Sequence, residues 1–390
     1  MNTGHIEVAV GAVALGVPSA ERGPALGVPS AQHGPRIQTM RVMVAPDSFG
    51  DTLTATEAAA AISRGWLAGR PDDDVVQAPQ SDGGPGFVDV LATRLGAVMH
   101  AEVDGPLGRT VEAAWLLDGS TAYIEAASAC GLALLGGPPT LHSALKSSSF
   151  GVGQLIAAAL AENGVDTVYV GLGGSCCTDG GRGMVRALGG LSAAAERLRG
   201  IDLVAATDVE NPLLGDLGAA KVFGPQKGAD ADMVETLEDL NVDWAAVLAL
   251  QAEREVAELA GAGAAGGIGA ALFALGGRRE SGAAVVADVT EQQKMIESVH
   301  LVVTGEGKFD SQSLRGKLVT RLAAAGGEFG VDTIVLAGQV LLDRQQLSSA
   351  GISHAYSVTE FAGSVEKSMS DAENQLELLA RVAATEFAPR

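Results

Sequence analysis

The chain has 390 residues, of which 47% are hydrophobic and 4% aromatic, with 52 glycines and a formal net charge of −21. That length exceeds the roughly 250 to 300 residues at which a single hydrophobic core stops growing, so two α/β domains are expected. The negative field excludes nucleic acid and anionic membrane as natural partners, and an anionic ligand would need a local group of Lys or Arg.

In chain order, the first feature is a tandem copy, "ALGVPSAERGP" followed at once by "ALGVPSAQHGP". Two Gly- and Pro-bearing copies cannot stack into a repeat core, which needs about three units. Residues 1–40 are therefore predicted to be a disordered tail, with Met40 or Met43 as an alternative start. The apolar stretch "VAVGAVALGV" has no Lys or Arg before it, so the basic flank of a signal peptide is missing. No run approaches the ~20 apolar residues of a membrane helix. Cys130, Cys176 and Cys177 form no C-x-x-C and cannot pair off completely, which fits a reducing cytoplasm.

From Arg41 onward, short β-rich runs alternate with Ala-rich helical segments, the pattern of a parallel sheet with crossover helices. The predicted strands are "RVMVAP", "DVVQAP", "TVYVGLG", "HLVVTGEG", "TIVLAG" and "HAYSV". Between Ala101 and Ala126 the turn signals "VDGPLGRT" and "LLDGST" predict hairpins. The fold class expected is α/β: a Rossmann-like domain built from 41–95, 150–190 and 295–385, and a second, mixed α+β domain from 96–149 and 191–294. Thr54 and Glu57 form a capping box that starts the first helix, whose N-terminus follows the loop "PDSFGD".

Ligands of open α/β sheets bind beyond the carboxyl ends of the strands, which makes Asp47, Ser48, Asp82, Gly83, Gly84, Asp179, Glu306 and Asp310 expected neighbours. The carboxylates recur in Gly-rich loops: "APDSFGD", "QSDGGPGF", "GGSCCTDGG", "AATDVENP" and "VTGEGKFD". Phosphoryl transfer requires such a set, with oxygen ligands for Mg²⁺, an acid to take the hydroxyl proton, and N–H groups and cations for phosphate charge. A lone Asp in such a loop is usually a turn or helix cap; five together point to chemistry. Walker A and the protein-kinase signatures are absent. One G-x-G-x-x-G, at Gly261, Gly263 and Gly266, follows a helical stretch, whereas a dinucleotide turn would follow a strand.

Through "APDSF", "DGG-G", "GLGGS--TDGG-GM", "DVENPLLG--GAA-VFGPQKGA", "GAGAAGG-G" and "TGEGKFD-Q---GK", residues 41 to about 385 resemble the type I glycerate kinases. The resemblance implies ATP and Mg²⁺ as reagents, D-glycerate as substrate, phosphoglycerate as product, and a site in an interdomain cleft; a homodimer is left open. Carried over by position, its phosphate and substrate loops correspond to Asp47, Ser48 and Phe49, to Asp82, Gly83 and Gly84, and to Gly173, Gly174, Ser175 and Asp179. Asp208, Asn211, Glu306 and Asp310 follow, with Lys227, Lys308 and Lys317 as cations. The expected roles are Asp310 or Asp179 as base, Glu306 and Asp208 at the metal, and Lys308 as phosphate neutraliser.

The chain departs from the family pattern at three places. "DSFGDTL" replaces "DSFKGSL", putting Gly50 where a lysine is usual; "DGGPGF" replaces "DGGEGT", with Pro85 in an acidic position; and Thr178 stands where asparagine is usual. Two readings follow: a working kinase of glycerate or another small hydroxy acid, or an impaired relative that binds a metabolite or a protein.

Overall fold

The computed structural model describes residues 39–387 apart from 312 and 315–317, so most of the predicted tail and Lys317 lie outside the described residues. Met40 already belongs to the fold, at 3% exposure, with its N–H donating to Asp73 Oδ1 at 2.9 Å. The strands are β1 (Arg41–Pro46), β2 (Asp74–Gln77), β3 (Ala97–Asp104), β4 (Thr110–Asp118), β5 (Thr121–Glu125), β6 (Thr167–Gly171), β7 (Asp202–Ala206), β8 (Arg278–Glu280), β9 (Leu301–Gly305), β10 (Lys308–Phe309), β11 (Asp332–Ala337), β12 (Gln339–Val340) and β13 (His354–Ser357).

The first sheet has the order β13-β11-β9-β1-β2 and all its pairs are parallel. Such a sheet is covered on both faces, which explains the unbroken apolar runs of β1 and β9. On one face Val42, Val44, Val303, Ile334 and Leu336 pack against helices Ala55–Gly69 and Ala372–Glu386. On the other, Met43, Ala45 and Val302 meet Ile296, Leu318 and Leu322. The two helices of the first face touch backbone to backbone at Gly65, where a Cβ would lie 2.0 Å from the Glu377 carbonyl oxygen. The capping box at Thr54 forms as predicted.

The second sheet runs β3-β4-β5-β6-β7-β8, antiparallel through β5 and parallel from β5 to β8. The hairpins expected before Ala126 are its antiparallel half. The sequence pattern groups 150–190 with the first sheet; β6 instead lies between β5 and β7. The chain passes from β5 to β6 through four helical segments, the last being helix Phe150–Ala161, and consecutive strands usually end up adjacent. Apolar composition alone does not say which of two sheets a buried parallel strand joins. β7 and β8 are absent from the predicted strands, and β8, "RRE", has no apolar pattern to reveal it.

The segment "GAGAAGG" follows helix Ala231–Ala252 without an intervening strand, as expected. Its glycines serve close packing: a Cβ at Gly263 would lie 2.2 Å from the Pro212 carbonyl oxygen, and one at Gly266 2.0 Å from that of Cys177. Among the described residues no helix is long and apolar enough to cross a membrane.

Candidate active site

The first sheet reverses its winding between β1 and β9: β2 lies on one side of this pair, β11 and β13 on the other. Chain segments leaving the carboxyl ends of two such strands diverge and open a crevice. Pro46 and Gly305 are register partners, so the residues that follow, Asp47 and Glu306, emerge side by side. The Asp47 N–H donates to the Gly305 carbonyl at 2.8 Å. Asp82 arrives from the loop after β2, on the other flank of β1.

The other two carboxylates act on Asp47. Burial, then the charge of Asp82 and that of Glu306, push the Asp47 carboxyl up to about 7, although a hydrogen bond from the Ser48 N–H opposes the shift. An acid balanced between its two forms near neutral pH is suited to accept and release a proton. Among the described residues, no group of three His, Cys, Asp or Glu side chains is arranged to hold a metal ion unaided. Mg²⁺ needs no such cage, since it is commonly bound by one or two carboxylates together with substrate phosphates.

The Gly-rich loops lie on each other. A Cβ on Gly173 would sit 2.4 Å from Gly84 Cα, and one on Gly174, at φ +64, would sit 2.5 Å from Pro85 Cγ. Much of the bare backbone therefore serves loop-to-loop contact between the ends of β2 and β6. Some N–H groups are already taken: Gly84 donates to Asp82 Oδ1 at 3.0 Å and Ser48 to Asp47 Oδ1 at 2.7 Å. Those of Gly173 and Gly174 have no partner among the described residues.

Three further acids are bound to helix N-termini. Asp179 Oδ2 accepts from the Ser149 N–H and hydroxyl, each at 2.9 Å, and from the Gly183 N–H at 3.0 Å; Oδ1 accepts from Gly181 at 3.1 Å. Asp208 accepts from the Ala283 N–H at 3.2 Å and the Ser281 hydroxyl, and pairs with Arg321 at 3.4 Å. Glu125, at the end of β5, accepts from Gly86 at 2.9 Å and Val88 at 3.4 Å. Burial pushes its carboxyl up to about 7. Each acid thus satisfies orphan N–H donors while facing the positive end of a helix.

Three cavities meet at Asp47. The first, about 800 Å³, is lined by Asp47, Asp82, Gly173, Asp208, Asn211 and Glu306, with Arg321 as the one cation among its described lining residues. The second, about 580 Å³, carries Asp47, Ser48, Phe49, Glu306 and Lys308 at one end and Val358, Val365, Met369 and Leu376 at the other. The third, about 540 Å³, joins Asp47, Ser48, Asp82 and Gly84 to Gly173, Gly174, Ser175 and Lys227.

Of the predicted site residues, Gly83, Asp179 and Asp310 line none of these cavities. Gly83 has φ +93 and sits 2.5 Å, measured from its notional Cβ, beneath the Ala206 carbonyl. Asp310 pairs with Lys308 at 3.1 Å. Asn211 donates to the Leu217 carbonyl at 2.7 Å. Arg321 and Glu125 went unmarked in the sequence. Glu125 closes a strand and so carried a legible positional signal, whereas Arg321 lies within helix Leu318–Glu328 and carried none.

The departures have structural correlates. Gly50 has φ +58 with open space around it, so the turn needs its glycine one residue earlier than the Lys-Gly order of the family pattern. Pro85 packs over Gly174, and Thr178 Oγ1 is buried without a hydrogen-bond partner among the described residues. Thr178→Val, which removes that unsatisfied hydroxyl at nearly constant volume, is expected to stabilise the fold by about 1 kcal/mol in urea denaturation.

The sequence model of the glycerate kinase family matches residues 42–191 and 190–387. The chain belongs to the glycerate kinase family. It is 37% identical over 361 residues to the glycerate 2-kinase of Escherichia coli K12, covering 85% of this chain and 94% of that protein. The glycerate kinase of Bacillus subtilis 168 is also 37% identical, over 371 residues, covering 88% and 96%. An uncharacterized protein of Mycobacterium bovis is 55% identical over 343 residues, covering 87% and 90%. A crystal structure from Salmonella typhimurium LT2, titled as a glycerate kinase 2, superposes with a TM-score of 0.69 at 34% identity, over 89% of this chain and 98% of that one. The mixed α/β architecture is thus that of a glycerate kinase relative.

Proposed function

We propose that the protein is an ATP- and Mg²⁺-dependent kinase that phosphorylates D-glycerate to phosphoglycerate in the cytoplasm. The observation that carries this reading is the Asp47, Asp82 and Glu306 group at the switch point, opening onto three cavities. A polyanionic nucleotide beside five acids in the first cavity, Asp47, Asp82, Asp208, Glu210 and Glu306, would be repelled unless a cation intervened. Hard carboxylate oxygens beside phosphate are what Mg²⁺ selects. Glu306 and Asp82 would hold the metal, which would neutralise phosphate charge. Asp208, which pairs with Arg321 and accepts from Ser281 and Ala283, is the anchor of Arg321 in this reading.

Asp47 is the base in this reading. As the acceptor hydroxyl oxygen bonds to the γ-phosphorus and the bond to ADP breaks, the hydroxyl proton passes to Asp47. The apolar end of the second cavity would receive the adenine, with Lys308 near the phosphates and Asp310 orienting Lys308. Asp179 supports the site through the helix starts at Ser149 and Gly183. Steady-state assays with ATP, Mg²⁺ and a panel of small hydroxy acids test the reading: ADP and a phosphorylated acid are expected with glycerate, and no turnover with any acid would refute it.

The impaired-relative reading draws on the missing cation at position 50. Gly50→Lys alone is expected to cost about 1 to 2 kcal/mol, because a β-carbon is strained at φ +58. Adding Asp51→Gly should recover the loss in a denaturation curve. A gain of about 100-fold in kcat/KM for the double variant would favour decay of an ancestral activity; an unchanged rate would favour a rewired site.

A further inference from the structure

Lys227 is 3% exposed, and a lysine that deep ordinarily has a carboxylate partner. Its ammonium donates to Ser175 Oγ at 3.1 Å and to the Cys177 carbonyl at 2.6 Å, two neutral acceptors. No Asp or Glu oxygen of the described residues forms an ion pair with it, and among those residues its third hydrogen has no acceptor beyond these two. The titratable groups facing it are Cys177, Cys130, Cys176 and, last in influence, Asp179. The thiols do not balance the charge: burial pushes Cys176 up to about 11, and the Cys130 contact and burial push Cys177 well above its ordinary value. Burial accordingly lowers the Lys227 pKa.

The same cavity contains Gly173 and Gly174, whose N–H groups have no partners among the described residues, and also includes Asp47 and Asp82. It does not include Lys308, and Leu132, Leu172 and Phe223 supply its apolar lining. We propose that this third cavity is the carboxylate subsite of the acceptor: Lys227 and the Gly173 and Gly174 N–H groups receive the carboxylate of a small hydroxy acid, leaving its hydroxyl at Asp47. The inference rests on the kinase reading above for the hydroxyl's fate, but not for the binding itself. It makes Lys227 the residue that selects hydroxy acids over plain alcohols.

The test uses the full chain with Lys227→Met and Lys227→Arg. With Lys227→Met, the KM for D-glycerate is expected to rise about 100-fold with that for ATP within a few-fold, and the preference for glycerate over glycerol to collapse. Lys227→Arg, which keeps the charge, should recover part of both. A raised KM for ATP with glycerate unaffected would reassign the cavity to nucleotide phosphate and overturn the proposal; so would unchanged constants for both. Calorimetric titration of D-glycerate into the wild type without nucleotide separates the two readings. Binding accompanied by proton uptake at some pH between about 8 and 10.5, the range below its ordinary value into which burial moves the lysine's proton loss, supports the subsite even if no turnover occurs. Absence of binding, or binding without uptake anywhere in that range, overturns it, and this measurement needs no variant to fold.

Discussion

Asp47→Asn lowers kcat by about 1,000-fold, leaves the affinity for nucleotide within a few-fold, and abolishes the acid limb of the pH profile. In the wild type that limb lies at or below about pH 7, the value to which burial, Asp82 and Glu306 raise the Asp47 carboxyl without metal, because Mg²⁺ would offset part of that repulsion; below the limb Asp47 can no longer accept a proton from the acceptor hydroxyl. A variant that kept the limb would show that another group is the base. The same substitution has an opposite effect on stability. A carboxyl raised from its ordinary 3.8 to about 7 binds more protons folded than unfolded, so its cost is absent below pH 3.8 and grows as pH rises to about 7. Asp47→Asn removes that cost, and it is expected to stabilise the metal-free protein by roughly 2 kcal/mol at pH 8 after allowance for partial solvent access. Thermal denaturation across this range measures it. A melting temperature with no upward shift would mean that the native fold tolerates the charged group.

Glu306→Gln raises the Mg²⁺ concentration for half-maximal rate by about 10- to 100-fold. It also moves the acid limb of kcat/KM to lower pH, since the Glu306 charge is one of the causes that hold Asp47 high. The two effects oppose each other near neutrality, and the loss of a metal-binding oxygen outweighs an easier ionisation because Asp82 and burial, the larger causes, remain. In the wild type at pH 8, Mg²⁺ should raise the melting temperature by relieving repulsion among Asp47, Asp82 and Glu306, and chelation should reverse the gain. In Glu306→Gln the increment should shrink. An unchanged Mg²⁺ requirement would remove Glu306 from the metal.

The acids legible in the sequence turned out to do two kinds of work. Asp47, Asp82 and Glu306 share a crevice, Asp179 caps helices outside it, and Asp208 lines the crevice while its oxygens are held by a helix start and Arg321, although all five occur in similar Gly-rich loops after strands. Local sequence cannot separate these uses, because the distinction depends on whether a helix N-terminus from elsewhere in the chain reaches the carboxylate first. For Asp179 those donors come from Ser149 as well as its own loop; for Asp208 they come from Ala283, 75 positions away. Likewise the glycines at 83, 84, 173 and 174 suggested an anion cradle, and the packing of one loop on the other accounts for part of that bareness.

What the sequence determined by itself was local and periodic: the buried parallel strands, the capping box at Thr54 and Glu57, the hairpins before Ala126, and the motif order of the glycerate kinase family. Each depends on contacts within a few residues or on an ordered string of motifs. What the tertiary structure decided was relative placement. The register of Pro46 against Gly305 makes Asp47 and Glu306 neighbours across 259 positions, and their mutual repulsion, with burial, gives Asp47 its proton affinity. The six-stranded sheet claims β6 and buries Lys227 against Ser175. Charge coupling and desolvation fall off over a few ångströms of space, and no spacing along the chain encodes that distance.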